Sequence, residues 1–156
     1  MQTFLNMLAV FGLSMVPFLE LRAAVPLGCG LGLPWYLTFA ICAIGNMLPV
    51  PFILLFIRRI LKWMKTTKKL SGIALWVEKK AQKHSVRVAK GAALGLVLFV
   101  GIPIPGTGAW TGALIAATLD IRFRYALPAI LAGILLADFI MTGACFGFLS
   151  ALSFVL

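Results

Sequence analysis

The chain has 156 residues, of which 62% are hydrophobic and only 12% are charged. Typical soluble domains contain about 25% charged residues. A soluble domain of this size exposes a large fraction of its surface, so the composition excludes an ordinary soluble fold and most enzyme classes. We therefore expect an all-α integral membrane protein that is not an enzyme.

The net charge of +10 is concentrated in one segment. Eleven of the fourteen Lys and Arg residues lie at positions 58–90, between two apolar halves. This distribution is typical of a cytoplasmic loop. We interpret residues 58–90 as a basic cytoplasmic arm, and we expect no nucleic-acid partner because the sequence contains no nucleic-acid recognition module.

Within the arm, residues 71–90 have the pattern of an amphipathic helix, with one apolar and one basic face. The basic face is expected to bind the anionic lipids of the inner leaflet. Its candidate lipid contacts are Lys79, Lys80, Lys83 and Arg87. A gating or partner-docking helix is the alternative.

Two apolar segments are long enough to cross a bilayer, which takes about 20 helical residues. They are residues 35–57 and 125–147. Pro49 and Pro51 are expected to kink the first of them in its second half. Each span follows a pair of shorter apolar pieces, so the chain divides into residues 1–57, the arm, and residues 91–156.

The shorter pieces of the second half lie on either side of a break at residues 103–108. Each piece has about a dozen residues, or roughly 18–20 Å as helix, and cannot cross a hydrocarbon core of about 30 Å. The pattern predicts a re-entrant hairpin that lines a cavity, because irregular backbone is tolerated at membrane depth only against protein or water. Its predicted turn contains Pro103, Pro105, Gly106, Thr107 and Gly108. Simple packing geometry is the alternative explanation of this turn.

The first half repeats the arrangement, with short pieces at residues 4–18 and 23–33 around a break that contains Glu20 and Arg22. An offset of 86 positions places Pro17 on Pro103 and Glu20 on Gly106. If the basic arm is cytoplasmic, the first hairpin enters from outside and the second from the cytoplasm. We therefore predict two inverted repeats, each a re-entrant hairpin followed by a transmembrane helix, as in many secondary transporters.

Four polar side chains within the apolar segments form the candidate site: Glu20, Arg22, Asn46 and Asp138. An ionised side chain at the bilayer centre costs about 2.5–3.5 kcal/mol on insertion scales, so unpaired placement is disfavoured. Glu20 and Arg22 are two residues apart and point to opposite sides of a helix, which predicts different partners. If residues 4–19 instead cross the membrane, these two become interfacial charges. Asp138 is alternatively a structural hydrogen-bond partner.

The candidate residues favour proton-coupled transport of an anion. Free amides at the start of the helix after the Pro-Gly turn, together with Arg22, suit a phosphate or carboxylate. Burial enables Glu20 and Asp138 to exchange protons. The sequence contains no P-loop, metal cluster or nucleophile elbow, so we expect neither a cofactor nor a metal.

Residues 17–28 (PFLELRAAVPLG) and 101–112 (GIPIPGTGAWTG) resemble the two signature stretches of the putative small multidrug export proteins, regarded as relatives of the DedA membrane proteins. The resemblance covers nearly the whole chain. It implies a flippase that returns a lipid carrier such as undecaprenyl phosphate across the bacterial inner membrane, and it supports roles for Glu20 and Arg22. An arginine is usual soon after the Pro-Gly pair, but Thr107, Gly108 and Ala109 stand here, which argues against a two-arginine phosphate clamp.

We predict a homodimeric secondary transporter of the bacterial inner membrane that moves an amphipathic anion. The first alternative is a small multidrug or cation exporter, in which Glu20 and Asp138 bind the cation and aromatic side chains stack on it. The second is a non-transporting membrane scaffold whose basic arm recruits an acidic partner.

Overall fold

The computed structural model describes residues 2–66, 88–104, 106–119 and 121–155. These residues form seven α-helices and no strand, as the composition predicts. The helices are α1 (Gln2–Met15), α2 (Glu20–Gly30), α3 (Trp35–Met47), α4 (Pro49–Thr66), α5 (Val88–Gly101), α6 (Ala109–Thr118) and α7 (Phe123–Val155). The predicted lipid contacts of the basic arm, Lys79, Lys80, Lys83 and Arg87, lie outside the described residues.

Helices α1 and α2, the first helix pair, are joined by a tight turn at residues 16–19. Pro17 disfavours helical geometry at the residue before it, which ends α1 at Met15. Phe18 and Glu20 have positive φ angles of 70° and 43°. The chain therefore reverses earlier than the predicted break at residues 19–22, and Glu20 begins α2 instead of lying in a loop.

Helices α5 and α6, the second helix pair, are separated where the Pro-Gly pattern predicts a break. Helix α5 ends at Gly101 and α6 begins at Ala109. Gly106 has a φ of 90° in the connection, and Pro105 lies outside the described residues. Residues 88–90, predicted as the end of the amphipathic helix, form the first turn of α5 instead.

Among the described residues, two stretches are helical, long and apolar enough to cross a membrane, Trp35–Ile57 and Phe123–Gly147. The first has the predicted bounds, and the second begins two residues before the predicted 125–147. The expected irregularity of the first stretch lies at Leu48, where α3 gives way to α4. Pro49 stands at the first position of α4, where its missing N–H costs least.

The helix contacts follow the same plan in both halves. Each helix pair packs against the helix that follows it, α1 and α2 on α3, and α5 and α6 on α7. The second helix of each pair also packs on the other half, α2 on α7 and α6 on α4. The fully buried aliphatic side chains lie between these helices and include Val10, Val25, Leu54, Ile130 and Ile134.

Glycines allow the closest helix crossings. A methyl group on Gly45 of α3 would meet the Ser14 hydroxyl of α1 at 2.0 Å. A methyl group on Gly133 of α7 would meet the Val100 side chain of α5 at 2.6 Å. Small residues of this kind let helix backbones approach in membrane proteins.

Candidate functional site

Glu20 joins the two helix pairs through its side chain. Its Oε2 accepts a hydrogen bond from the Ala109 main-chain N–H, and its Oε1 accepts one from the Trp110 N–H, both at 3.2 Å. These are the first two amides of α6, which have no partner within their own helix. A buried carboxylate from α2, only 4% exposed, therefore caps α6 at the end where the helix dipole favours negative charge.

The close approach of Glu20 requires a glycine at position 108. A Cβ atom on Gly108 would lie 2.0 Å from Oε2 and 2.6 Å from Cδ of Glu20. The backbone at Gly108 is extended, with φ 170°, so the glycine is explained by space and not by conformation. The final glycine of the Pro-Gly turn is thus part of the carboxylate site.

Arg22 joins the same two elements through a different contact. Its Nη2 donates hydrogen bonds to the main-chain oxygen of Thr107 and, at 2.9 Å, to the Thr107 hydroxyl oxygen. That hydroxyl lies 2.8 Å from the carbonyl oxygens of Ile102 and Ile104 and so orders the turn. Glu20 and Arg22 attract each other electrostatically, but their hydrogen bonds go to different partners, as their spacing predicts.

Trp110 provides a third connection between the helix pairs. Its indole Nε1 donates a hydrogen bond of 3.1 Å to the main-chain oxygen of Met15. Met15 is the last residue of α1, where a carbonyl lacks an intrahelical partner. Trp110 is not among the residues predicted from the sequence, where its signal was an indole N–H next to the Pro-Gly turn in an apolar segment.

A small cavity of about 10 Å³ lies beside these contacts. Its lining includes six of the predicted residues, Glu20, Arg22, Asn46, Pro103, Thr107 and Gly108. Two buried polar atoms of this lining, Arg22 Nε and Asn46 Oδ1, form no hydrogen bond in the described part of the chain. The volume suits about one water molecule and is far too small for a phosphate, so the structure shows a closed site.

The environment of Glu20 makes its carboxyl group easier to protonate than usual. Burial raises the pKa of Glu20 above its ordinary value of 4.5. The amides of Trp110 and Ala109, the charge of Arg22 and a hydrogen bond with the Asn46 side chain oppose this effect. A carboxyl group whose pKa is raised by burial and lowered by neighbouring donors is suited to binding and releasing a proton.

Asp138 lies apart from the cavity, although its neighbour Ala137 contributes to the lining. Its side chain is fully buried, and Oδ1 accepts a hydrogen bond of 3.2 Å from the Thr142 hydroxyl one turn later in α7. Oδ2 has no partner among the described residues. Cys42 of α3 interacts with Asp138 electrostatically. The structure therefore does not place Asp138 beside Glu20 and Arg22.

Two further predicted turn residues, Pro17 and Gly106, do not line the cavity. Pro17 and Gly106 are exposed in their turns. Pro105 lies outside the described residues. The predicted free amides of the Pro-Gly turn are present at Ala109 and Trp110, but the carboxylate of Glu20 already binds them.

A family model described as "Putative small multi-drug export protein" matches residues 20–140, more than three quarters of the chain. The matched region starts at Glu20 and includes Asp138 and the whole second helix pair. No curated protein and no solved structure matches the chain.

Proposed function

We propose that this chain, which belongs to the family of putative small multi-drug export proteins, is a secondary transporter. It works by opening and closing the contact between its two helix pairs. The family and the two long apolar helices indicate a membrane location. We further propose the bacterial inner membrane, with the basic arm on the cytoplasmic side. The observation that carries the proposal is the buried Glu20 carboxylate bound to the first amides of α6.

The proposed architecture is an inverted repeat of two re-entrant hairpins, each followed by a transmembrane helix. Two structural relations support this repeat. Glu20 and Gly106, which the offset of 86 superimposes, both have a positive φ. In the first half, Ser14 lies against Gly45, and in the second half Val100 lies against Gly133. Val100 follows Ser14 by 86 positions and Gly133 follows Gly45 by 88, so the two close crossings correspond. Two such hairpins meeting near the midplane are typical of transporters that work by alternating access.

The first step of the proposed mechanism is protonation of Glu20. The ionised carboxylate accepts two charge-assisted hydrogen bonds from α6, which hold the helix pairs together. Protonation removes the negative charge, so both bonds weaken and the interaction with the helix dipole is lost. In the separated state we propose that Glu20 stays shielded from water but loses the amides of α6 and the nearby charge of Arg22, which lower its pKa in the closed state. Its pKa is then higher in the separated state, so protonation favours separation of the helix pairs at the start of α6.

The second step exposes a binding site for an anion. Separation frees the amides of Ala109 and Trp110 and the guanidinium of Arg22, which are the donors that bind phosphates and carboxylates. The Glu20 carboxylate occupies this place in the closed structure, as a substrate anion would after opening. We therefore propose an amphipathic anion as substrate, with a lipid carrier such as undecaprenyl phosphate as its most specific form.

Export of a cationic drug is the second candidate, and the family description favours it. In this alternative, Glu20 released from α6 binds the cation directly, with the indole of Trp110 beside it. The two candidates differ in the role of Arg22. An anion requires its positive charge, whereas a cation is repelled by it.

The test uses liposomes that contain the purified protein under an imposed pH gradient. In one arm, an impermeant phosphatase reports whether a polyprenyl phosphate of the inner leaflet becomes accessible. In the other, a trapped pH dye reports proton release coupled to uptake of ethidium. The anion mechanism predicts activity in the first arm that Arg22→Ala abolishes. The cation mechanism predicts activity in the second arm that Glu20→Gln abolishes and Arg22→Ala leaves largely intact.

Absence of activity in both arms would contradict transport. The scaffold alternative predicts instead that neutralising Lys79, Lys80 and Lys83 gives a phenotype and that Glu20→Gln gives none. This distinction works because the basic arm and the Glu20 site are separate in sequence.

We also propose that the transporter is a homodimer. The turns of both helix pairs expose apolar side chains, Phe18 at 77% and Ile104 at 54%. Irregular backbone inside a membrane needs cover by protein or water, and apolar side chains favour protein, most simply a second copy of the chain. Replacing Cys29, Cys42 and Cys145 with Ala and introducing Phe18→Cys should give a disulfide-linked dimer in membranes. A cross-linked dimer with Leu8→Cys but not with Phe18→Cys would contradict this interface.

A further inference from the structure

We propose that the cavity beside Glu20 binds a single water molecule, which carries the proton to and from the Glu20 carboxylate. The role of the water rests on the proposed function of Glu20, whereas the existence of the site does not. The site is built by three side chains from two helices, Glu20 and Arg22 of α2 and Asn46 of α3. Hydrogen bonds to the second helix pair hold Glu20 and Arg22 in place, and Asn46 is buried beside them, so the cavity is preformed.

The size of the cavity fits one water molecule. A polar cavity needs about 10–15 Å³ to hold a water, together with two to four polar partners. This cavity measures about 10 Å³. A phosphate or a drug molecule does not fit into this volume, and the positive charge of Arg22 disfavours a metal cation.

The two unsatisfied atoms of the lining have complementary chemistry. Arg22 Nε carries a hydrogen and is a donor, whereas Asn46 Oδ1 is an acceptor, and neither has a partner among the described residues. A buried polar group that stays unpaired destabilises the folded protein. One water satisfies both, because it accepts a hydrogen bond from Arg22 Nε and donates one to Asn46 Oδ1.

The second hydrogen of the same water is available for Glu20. Asn46 and Glu20 both line the small cavity, so a water hydrogen-bonded to Asn46 lies close to the Glu20 carboxylate. In the proton-transfer step, a hydronium ion from the aqueous phase donates a proton to a lone pair of the bound water. At the same time, the O–H bond of the bound water that faces Glu20 breaks and leaves its electron pair on the water oxygen. A new O–H bond forms on a Glu20 oxygen, and the charge of Glu20 changes from −1 to 0.

The surroundings of Glu20 leave this water as the nearest proton carrier. Arg22 is the charged group that acts on Glu20, and it keeps its proton at physiological pH. Asn46 of α3 and Ala137 of α7 line the cavity. The second helix pair contributes Pro103, Thr107 and Gly108 to the lining. None of these side chains titrates.

Water-edited solid-state NMR on ¹⁵N-arginine protein in liposomes tests the site directly. We expect magnetisation to pass from water to Arg22 Nε as fast as to the exposed Arg122, with the Arg22 signal identified by its loss in Arg22→Lys. Asn46→Leu removes the acceptor and fills space, so the transfer to Arg22 should fall about fivefold, as expected when one hydrogen bond to a neutral group is lost. No transfer to Arg22 in the unmodified protein would overturn the proposal.

Two results separate the water site from the proposed transport function. Transport that depends on Glu20, without water transfer to Arg22, would refute the water site alone. Water transfer to Arg22, without any transport in the liposome assay, would support the site and refute the transport role of the water.

Discussion

The Glu20 carboxylate occupies the space that a side chain at Gly108 would need, since a methyl group on Gly108 would stand 2.0 Å from Oε2 of Glu20. The two residues belong to different helix pairs and are 88 positions apart. The missing side chain at position 108 is what lets the carboxylate reach the amides of Ala109 and Trp110. One glycine and one glutamate thus define how closely the two helix pairs approach.

Gly108→Ala should displace the Glu20 carboxylate from α6. The loss of charge-assisted hydrogen bonds worth about 1.5–3 kcal/mol should lower the free energy of unfolding by a similar amount. Gly95→Ala is the matched control, because a methyl group on Gly95 meets nothing within 4 Å. Denaturation of both variants in detergent checks the prediction, and equal stabilities would contradict the assigned role of Gly108.

Thr107→Val should weaken the contact of Arg22 with the turn. The substitution removes the hydroxyl that accepts a hydrogen bond from Nη2 and orders the turn, but it keeps the main-chain acceptor. We expect a loss of about 1–3 kcal/mol. Thr118→Val is the control, because the Thr118 hydroxyl, among the described residues, bonds within its own helix, to the Leu114 oxygen at 2.7 Å. A larger loss in the control than in Thr107→Val would contradict the inter-helix role.

Glu20 should make the stability of the protein fall as the pH rises above about 4.5. The pKa of Glu20 is higher in the folded chain than its ordinary value of 4.5. Between these two values the folded state holds a proton that the unfolded state has lost, so increasing pH favours unfolding. Glu20→Gln removes this titration. The melting temperature of Glu20→Gln minus that of the unmodified protein should therefore increase from pH 4.5 upwards, and a decrease would show the opposite sign.

Gly133→Ala should destabilise the packing of α5 on α7. A methyl group on Gly133 would lie 2.6 Å from the Val100 side chain and 2.9 Å from the main-chain oxygen of Val97, which cannot move away easily. Overpacking of this kind costs about 1–3 kcal/mol. Gly143→Ala on the same helix gains equal helix propensity and meets nothing within 4 Å, so its stability should exceed that of Gly133→Ala. Similar melting temperatures would contradict the close crossing.

Asp138→Asn tests whether the second buried carboxyl takes part in proton coupling. Asparagine keeps the size of the side chain and an oxygen that accepts from Thr142, so the fold should survive. If Asp138 carries a proton, the proton flux per transported substrate should fall while substrate movement persists. An unchanged ratio, measured with the trapped pH dye, would assign Asp138 a structural role.

The larger features of the fold could be predicted because each depends on local sequence. The apolar run Trp35–Ile57 has the length of a span whatever surrounds it. The Pro-Gly pattern at residues 103–108 interrupts a helix in any context. The polar positions of Glu20, Arg22 and Asn46 also indicated the site, because charged and amide groups within apolar segments need partners.

The geometry of the site could not be predicted, because it depends on contacts between distant parts of the chain. The turn before α2 depends on the positive φ of Phe18, which side chains rarely adopt. The Glu20 carboxylate accepts hydrogen bonds from amides that were expected to be free. Residues 20 and 109 are far apart in the sequence, and the fold brings them together. Asn46 and Asp138 each lie near the middle of an apolar span in the sequence, but of the two only Asn46 lines the cavity.

In the proposed mechanism, protonation of Glu20 separates the two helix pairs. Spin labels at Phe18→Cys and Ile104→Cys, both exposed positions in the two turns, measure this separation by pulsed electron–electron resonance. The labelled protein lacks its native cysteines and is diluted with unlabelled protein in liposomes, so that only distances within one chain are recorded. We predict one short distance at pH 8, an additional longer distance at pH 5, and the longer distance at both pH values in Glu20→Gln. A single distance that changes with neither pH nor Glu20→Gln would contradict the account.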